Sequence, residues 1–119
     1  MKLWLDDVRT APDGYRHVFT VEEAIGDIMQ YERECGWAWA NYMLGYTTIE
    51  QRDKFLNWYT ITEISCDNDL GEHTAEGYKL LDWLEATGRN YPIHIHSANP
   101  VAAERMKRII ERNGGREIK

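Results

Sequence analysis

The sequence predicts an α/β fold: a mainly parallel sheet with helices on both of its faces. Three observations carry this prediction. Short apolar runs of strand type alternate along the chain with segments of helical period. Three of those runs end in polar, chemistry-bearing residues: Asp6-Asp7, Asp67-Asn68-Asp69 and His96-Ser97. Helix caps and stops fall between the runs, where element boundaries need them. With 119 residues, 43% hydrophobic and 29% charged, the chain fits one domain spanning 1–119.

Residues 2–5 form an apolar run that suits a buried strand with Asp6 and Asp7 at its C-terminal end. Pro12-Asp13-Gly14 is a turn signal, after which residues 15–19 read as a second strand. Thr20 is a good N-cap, and Glu23 completes a capping box. The helix it opens carries Ala24, Ile25, Ile28 and Met29 on one face and is expected to reach about Cys35, with Gly36 as its stop. Residues 37–60 are aromatic and irregular, with a helical piece over 49–58 whose inward candidates are Ile49, Phe55 and Trp58. Residues 61–66 read as a strand ending in Asp67-Asn-Asp-Leu-Gly71. An amphipathic helix follows over 76–87, with Tyr78, Leu80, Leu81 and Leu84 inward and Gly88 after it. Residues 91–96 form another strand. Pro100 opens a last helix carrying Val101, Met106, Ile109 and Ile110, which stops at Gly114-Gly115. The tail, 116–119, is expected to add a short edge strand.

A net charge of −6 argues against broad binding of a phosphate backbone, which relies on dense Lys and Arg. It leaves room for a small phosphorylated ligand, since a bound cation inverts the local sign. Cys35 and Cys66 lie far apart without metal-type spacing, and Cys66 reads as a buried free thiol. The charged N-terminus predicts no signal peptide, and no apolar stretch approaches the roughly 20 residues that span a bilayer. The expected location is the cytoplasm, with no membrane partner. Trp37, Trp39, Tyr42, Tyr46, Trp58 and Tyr59 cluster in the middle third. They read as the wall of a core or of a homodimer contact, or as a platform that stacks on a base.

In parallel sheets ligands bind outside the C-terminal ends of the strands. If the three strands are neighbours, their terminal acids and histidines converge. Several carboxylates in one pocket must take up a proton or bind a cation, and hard oxygen ligands favour Mg²⁺. The alternative for the same acids is loop solvation and helix capping. His94 and His96 share one strand face, a spacing that serves metal ligation or acid–base work on a phosphoester, or that packs under a helix. His17 and His73 are expected at the surface. Ser97 and Asn99 can donate to a phosphoryl oxygen, although Asn before Pro is also a common turn start. Arg9 can clamp a phosphate or pair with Asp6 or Asp7.

Five motifs occur in order across nearly the whole chain: Leu5-Asp-Asp7, Glu22-Glu-Ala-Ile25, Asp67-Asn-Asp-Leu-Gly71, Gly77-Tyr-Lys-Leu-Leu81 and His96-Ser-Ala-Asn-Pro100. The set resembles the receiver-like family of cyclic-phosphate-processing receiver domains, related to response-regulator receivers. The resemblance implies a three-layer, flavodoxin-like fold. It also implies Mg²⁺ at Asp6 and Asp7, phosphoryl-acceptor character at Asp67, and a phosphoryl-contacting hydroxyl at Ser97. Asp69 joins Asp6, Asp7 and Asp67 as a candidate metal ligand. Three departures stand out. Asp7 and the strand at 15 are too close to enclose the usual first helix, and the aromatic stretch 37–60 looks like an enlargement. The fifth-strand lysine has no convincing counterpart, since Lys119 lacks a strong apolar strand before it.

Together these readings give a metal-dependent phosphoesterase acting on a cyclic phosphate of RNA or a nucleotide. Asp67, His94, His96 and Ser97 are its candidate catalytic residues, and Arg9 and Asn99 its candidate ligand contacts. Two alternatives stay open: a module that sequesters a phosphorylated nucleotide without turnover, and a degenerate receiver that works as a protein-interaction domain.

Overall fold

Leu3, Leu5, Ile64, Cys66 and Ile93 are almost fully buried and alternate along their strands with polar or half-exposed residues. Each strand therefore has one apolar face, as the two-residue period requires. The computed structural model describes residues 1–71 and 75–119. Its elements run β1 (Lys2–Leu5), β2 (Tyr15–Val18), α1 (Val21–Met43), α2 (Ile49–Tyr59), β3 (Glu63–Cys66), α3 (Tyr78–Ala86), β4 (Ile93–Ile95), α4 (Pro100–Arg112) and β5 (Glu117–Ile118). The described strands form one sheet in the order β2-β1-β3-β4-β5, and every pairing in it is parallel. The fold is α/β and receiver-like, as expected. His73 lies outside the described residues.

The layering departs from the expectation of helices on both faces. The connections β2 to β3, β3 to β4 and β4 to β5 all step the same way across the sheet. Right-handed crossovers then place their helices on one face. Accordingly α1 packs on α3 and α3 on α4, while α2 packs on α1 and not on the sheet. Only the step from β1 to β2 runs the other way, and residues 6–14 are bends and a turn without a helix. That turn is the one expected: the Pro12 carbonyl accepts the Tyr15 N–H at 3.2 Å, with Gly14 at φ +87°. The second face, bearing Trp4, His17, Ser65 and His94 in one row, thus carries no helix among the described residues.

The apolar face packs against Ala24, Ile28 and Tyr31 of α1, Leu80, Leu81 and Leu84 of α3, and Met106, Ile109 and Ile110 of α4. Val101, expected inward, is 76% exposed, and Ala102 takes its place. Met29 of α1 is likewise exposed. On α2 the half-buried side chains are Phe55, Leu56 and Tyr59, while Ile49 and Trp58 point outward, because this helix meets only α1. Helix α1 runs through Gly36 to Met43. A glycine stops a helix where the chain turns left-handed, and that happens at Gly45, φ +80°. There the Gly45 N–H bonds the Tyr42 carbonyl at 3.0 Å and the Tyr46 N–H bonds that of Asn41 at 2.9 Å, a Schellman motif. The extra turns lay Trp39 and Tyr42 against the Arg52 guanidinium, each ring centroid 4.5 Å away. Both cysteines are free, and no described helix is long and apolar enough to cross a membrane.

One polar clamp ties α1 to the approach of β4. Both oxygens of Glu32 accept from Arg89, with Nε at 3.0 and 2.9 Å and Nη2 at 2.8 Å, and one also accepts from the Tyr91 hydroxyl. Replacing Glu32 by Gln should lower stability by about 1–2 kcal/mol, since charge-assisted bonds are lost on both sides. Arg89 holds the Glu32 pKa below its ordinary 4.5. The contribution is therefore present above 4.5 and lost as pH falls through the lower folded value. Urea melts at pH 7 and pH 4 check this: the difference between wild type and variant should shrink in acid.

Candidate functional site

Parallel pairing carries β1, β3 and β4 to the same end of the sheet, so their C-terminal residues meet. The Asp67 N–H bonds the Leu5 carbonyl at 2.9 Å and the His96 N–H bonds the Cys66 carbonyl at 3.0 Å, extending the ladders into the loops. Asp6, Asp67 and His96 each offer one ligating atom, and these atoms all lie within 4.8 Å of one another. The convergence inferred from the sequence is thus met by these three residues.

Asp6 is completely buried. Its Oδ1 accepts the N–H groups of Val8 at 2.8 Å and Arg9 at 2.9 Å, and its Oδ2 faces His96 Nε2 at 3.0 Å. Burial opposes the Asp6 charge, but those bonds outweigh it and hold the pKa below 3.8. Asp67 is 8% exposed, and its Oδ1 accepts the Asn68 N–H at 2.8 Å. Here burial dominates, the neighbouring Asp6 charge adds to it, and the pKa rises above 3.8. Burial also lowers His96 below 6.5, against the pull of Asp6. The pair of carboxylates is therefore strained electrostatically in one member and satisfied in the other. Two hard oxygen donors with an imidazole beside them fit a divalent cation such as Mg²⁺ or Mn²⁺.

Asp7 and Asp69 stand outside this cluster. Asp7 is half-buried with its Oδ2 against Gly71, where an added Cβ would lie 3.2 Å away. Asp69 is exposed and accepts from Asn68 Nδ2 at 3.3 Å. The Arg9 guanidinium does not pair with Asp6; its Nη1 donates to the His96 carbonyl at 2.5 Å. Ser97 Oγ accepts the Asn99 N–H at 3.2 Å. Asn99 Oδ1 caps α4 through the N–H groups of Val101 and Ala102, at 3.1 and 3.2 Å. His17, expected at the surface, is half-buried with Nε2 2.6 Å from the Asp6 carbonyl and its ring stacked on Phe19. It is held there because Asp6 follows the strand that pairs with its own. Lys119 is exposed beyond β5.

Two residues near the site were not singled out from sequence. Ser65 is fully buried, and its Oγ lies 2.8 Å from Nδ1 of both His94 and His96. Trp4 stacks on the His96 ring at 3.9 Å between centroids and 7° between planes, and its Nε1 donates to the Arg9 carbonyl. The signal for Ser65 was a lone hydroxyl inside an apolar strand, but its partners follow only from the register that sets Trp4, Ser65 and His94 in a row.

With this geometry established, comparison with known proteins is informative. The family model for the cyclic-phosphate processing receiver domain matches residues 28–112. That span includes Asp67, His94, His96 and Ser97, while Asp6, Asp7 and Arg9 precede it. No curated protein and no solved structure matches the chain. The all-parallel sheet, the acidic strand ends and a match over most of the sequence agree: the chain belongs to the cyclic-phosphate processing receiver domain family.

Proposed function

We propose that the strand-end pocket opens a cyclic phosphate on an RNA end or a nucleotide to a phosphomonoester, with a divalent cation, Mg²⁺ by preference. The observation that supports it best is the approach of Asp6, Asp67 and His96 to within 4.8 Å at the sheet's C-terminal edge, in a family named for cyclic-phosphate processing. Hydrolysis adds water across one P–O bond, so the site must hold the phosphate, take a proton from water and return one to the leaving ribose oxygen. Asp6 and Asp67 would hold the cation, with Asp7 at the rim. When bound, the cation would neutralise the carboxylates and draw in the phosphate oxygens. Ser97 and Arg9 would steady the phosphate, and His94 or His96 would act as acid or base.

Titration of Mg²⁺ and Mn²⁺ into wild type and Asp67→Asn tests the cation. Wild type should bind and the variant should not. In the metal-free state the variant should melt at a higher temperature at pH 7. The folded pKa of Asp67 is raised, so its charge costs stability as pH climbs from 3.8 through that value. Incubation with a cyclic mononucleotide and with a cyclic-phosphate-ended oligoribonucleotide then tests turnover. Recovery of intact ligand that nevertheless co-elutes with the protein would replace the enzyme by a sequestering module. Unchanged metal binding in Asp67→Asn would sink the cation site. A second reading, an interaction domain that self-associates through the aromatic segment, is supported by the exposure of Trp37, Trp39, Tyr46 and Trp58. A dimer that forms without nucleotide would be its sign.

A further inference from the structure

Ser65 carries a single hydroxyl proton, yet its Oγ lies at hydrogen-bond distance from two imidazole nitrogens, Nδ1 of His94 and Nδ1 of His96. One of these nitrogens must accept that proton and the other must bring its own. The two histidines are thereby forced into opposite tautomers. Asp6 decides which is which. Its carboxylate Oδ2 only accepts, so His96 Nε2, at 3.0 Å, must be the donor there. A neutral His96 has one ring proton, and it is committed to Asp6; its Nδ1 is then the acceptor of the Ser65 O–H. The Ser65 oxygen in turn accepts Nδ1–H from His94. His94 Nε2 is left with a bare lone pair, and no described residue bonds it.

We infer that Ser65 is a positioning residue that presets His94 as the proton-accepting imidazole of the pocket, while His96 is held as a donor that buttresses Asp6. This deepens the phosphoester reading and rests on it for the meaning of His94, but the tautomer assignment stands on geometry alone. Several features make the arrangement stiff. Ser65 and Asp6 have no exposed surface, the His96 ring is clamped face-on by Trp4, and Asp6 Oδ1 is fixed by two backbone N–H groups. Among the described residues no helix covers the sheet face that holds both rings, and His94 is half-exposed there.

The direct test is long-range ¹H–¹⁵N correlation of the imidazoles in the metal-free full chain at pH 8. Histidines are assigned by His94→Gln and His96→Gln. In wild type, His94 should show a protonated Nδ1 and a bare Nε2, and His96 the reverse. In Ser65→Ala, His94 should swap to the Nε2–H form that predominates for a free imidazole, while His96 keeps Nε2–H on Asp6. The same tautomer at both histidines in wild type overturns the inference, as does a His94 pattern unmoved by Ser65→Ala. The wild-type spectrum decides the matter even if the variant fails to fold. Turnover reports separately. Opposite tautomers without hydrolysis of a cyclic mononucleotide would refute the enzyme and leave Ser65's role intact, whereas hydrolysis with matching tautomers would do the converse.

Discussion

Replacing Gly77 by alanine should cost about 3 kcal/mol or more of folding stability and loosen the acidic pocket with it. A Cβ built at this position falls 1.8 Å from the Asp67 carbonyl oxygen and 2.9 Å from its carbon, both of them backbone atoms that cannot rotate away. Gly77 is not left-handed, φ −56°, so the demand for glycine here is for space and not for torsional freedom. Its N–H donates to the Asn68 carbonyl at 2.8 Å, and the next N–H, of Tyr78, bonds Asn68 Oδ1 at 3.2 Å. The start of α3 is thus docked on the loop that holds Asp67. A methyl group must push the two apart by more than an ångström, breaking those bonds and shifting the carboxylate. The same substitution at Gly26, inside α1 with nothing within 4 Å of the added carbon, should instead stabilise by roughly 0.5–1 kcal/mol. Urea melts of the two variants check both signs. A Gly77→Ala protein as stable as wild type would mean that α3 is not seated on the Asp67 loop.

The elements of the fold were legible because local rules and tertiary packing agree over most of the chain. Thr20 with Glu23, Asn99 with Pro100 and the glycines after α3 and α4 mark helix ends in residue types that have a mechanism. The errors in the helices have identifiable sources. Ile49 and Trp58 were read as inward positions, whereas α2 meets only α1. Val101 lies in the first turn of α4 on its solvent side, and Gly36 was read as a stop although the chain there turns left-handed only at Gly45. Apolar type does not reveal which neighbour, if any, covers it. The same limit applies to the site. Asp6, Asp67 and His96 were visible as strand-end residues, because that position has chemical meaning in any parallel sheet. That Asp7 and Asp69 fall outside the cluster depends on loop paths that no pattern encodes. Ser65 became meaningful only once the register aligned it with His94.

Asp6→Ala should be the most damaging single change at the site, with a loss of about 2–3 kcal/mol at pH 7, because it removes a fully buried acceptor that serves three donors at once. The N–H groups of Val8 and Arg9 and the Nε2 of His96 all lose their partner. Asp6→Asn should recover much of the loss, since an amide oxygen can still serve the two backbone donors. Acid should act on wild type in the same direction. The folded pKa of His96 is depressed, so its contribution is complete above 6.5 and falls away as pH drops through the lower folded value. That of Asp6 is complete above 3.8 and is lost at still lower pH. Asp67, with a raised pKa, opposes both: its protonation relieves the pocket as pH falls toward 3.8. Asp67→Asn should therefore steepen the acid loss just above pH 3.8 by removing that relief. Melting temperatures of the metal-free proteins from pH 7 to 3.5 check this, and an Asp6→Ala cost below about 1 kcal/mol would refute the account of Asp6 as the anchor. The proposed cation would answer the same opposition: it would offset the charge that Asp67 carries at neutral pH while leaving the hydrogen bonds that fix Asp6 in place.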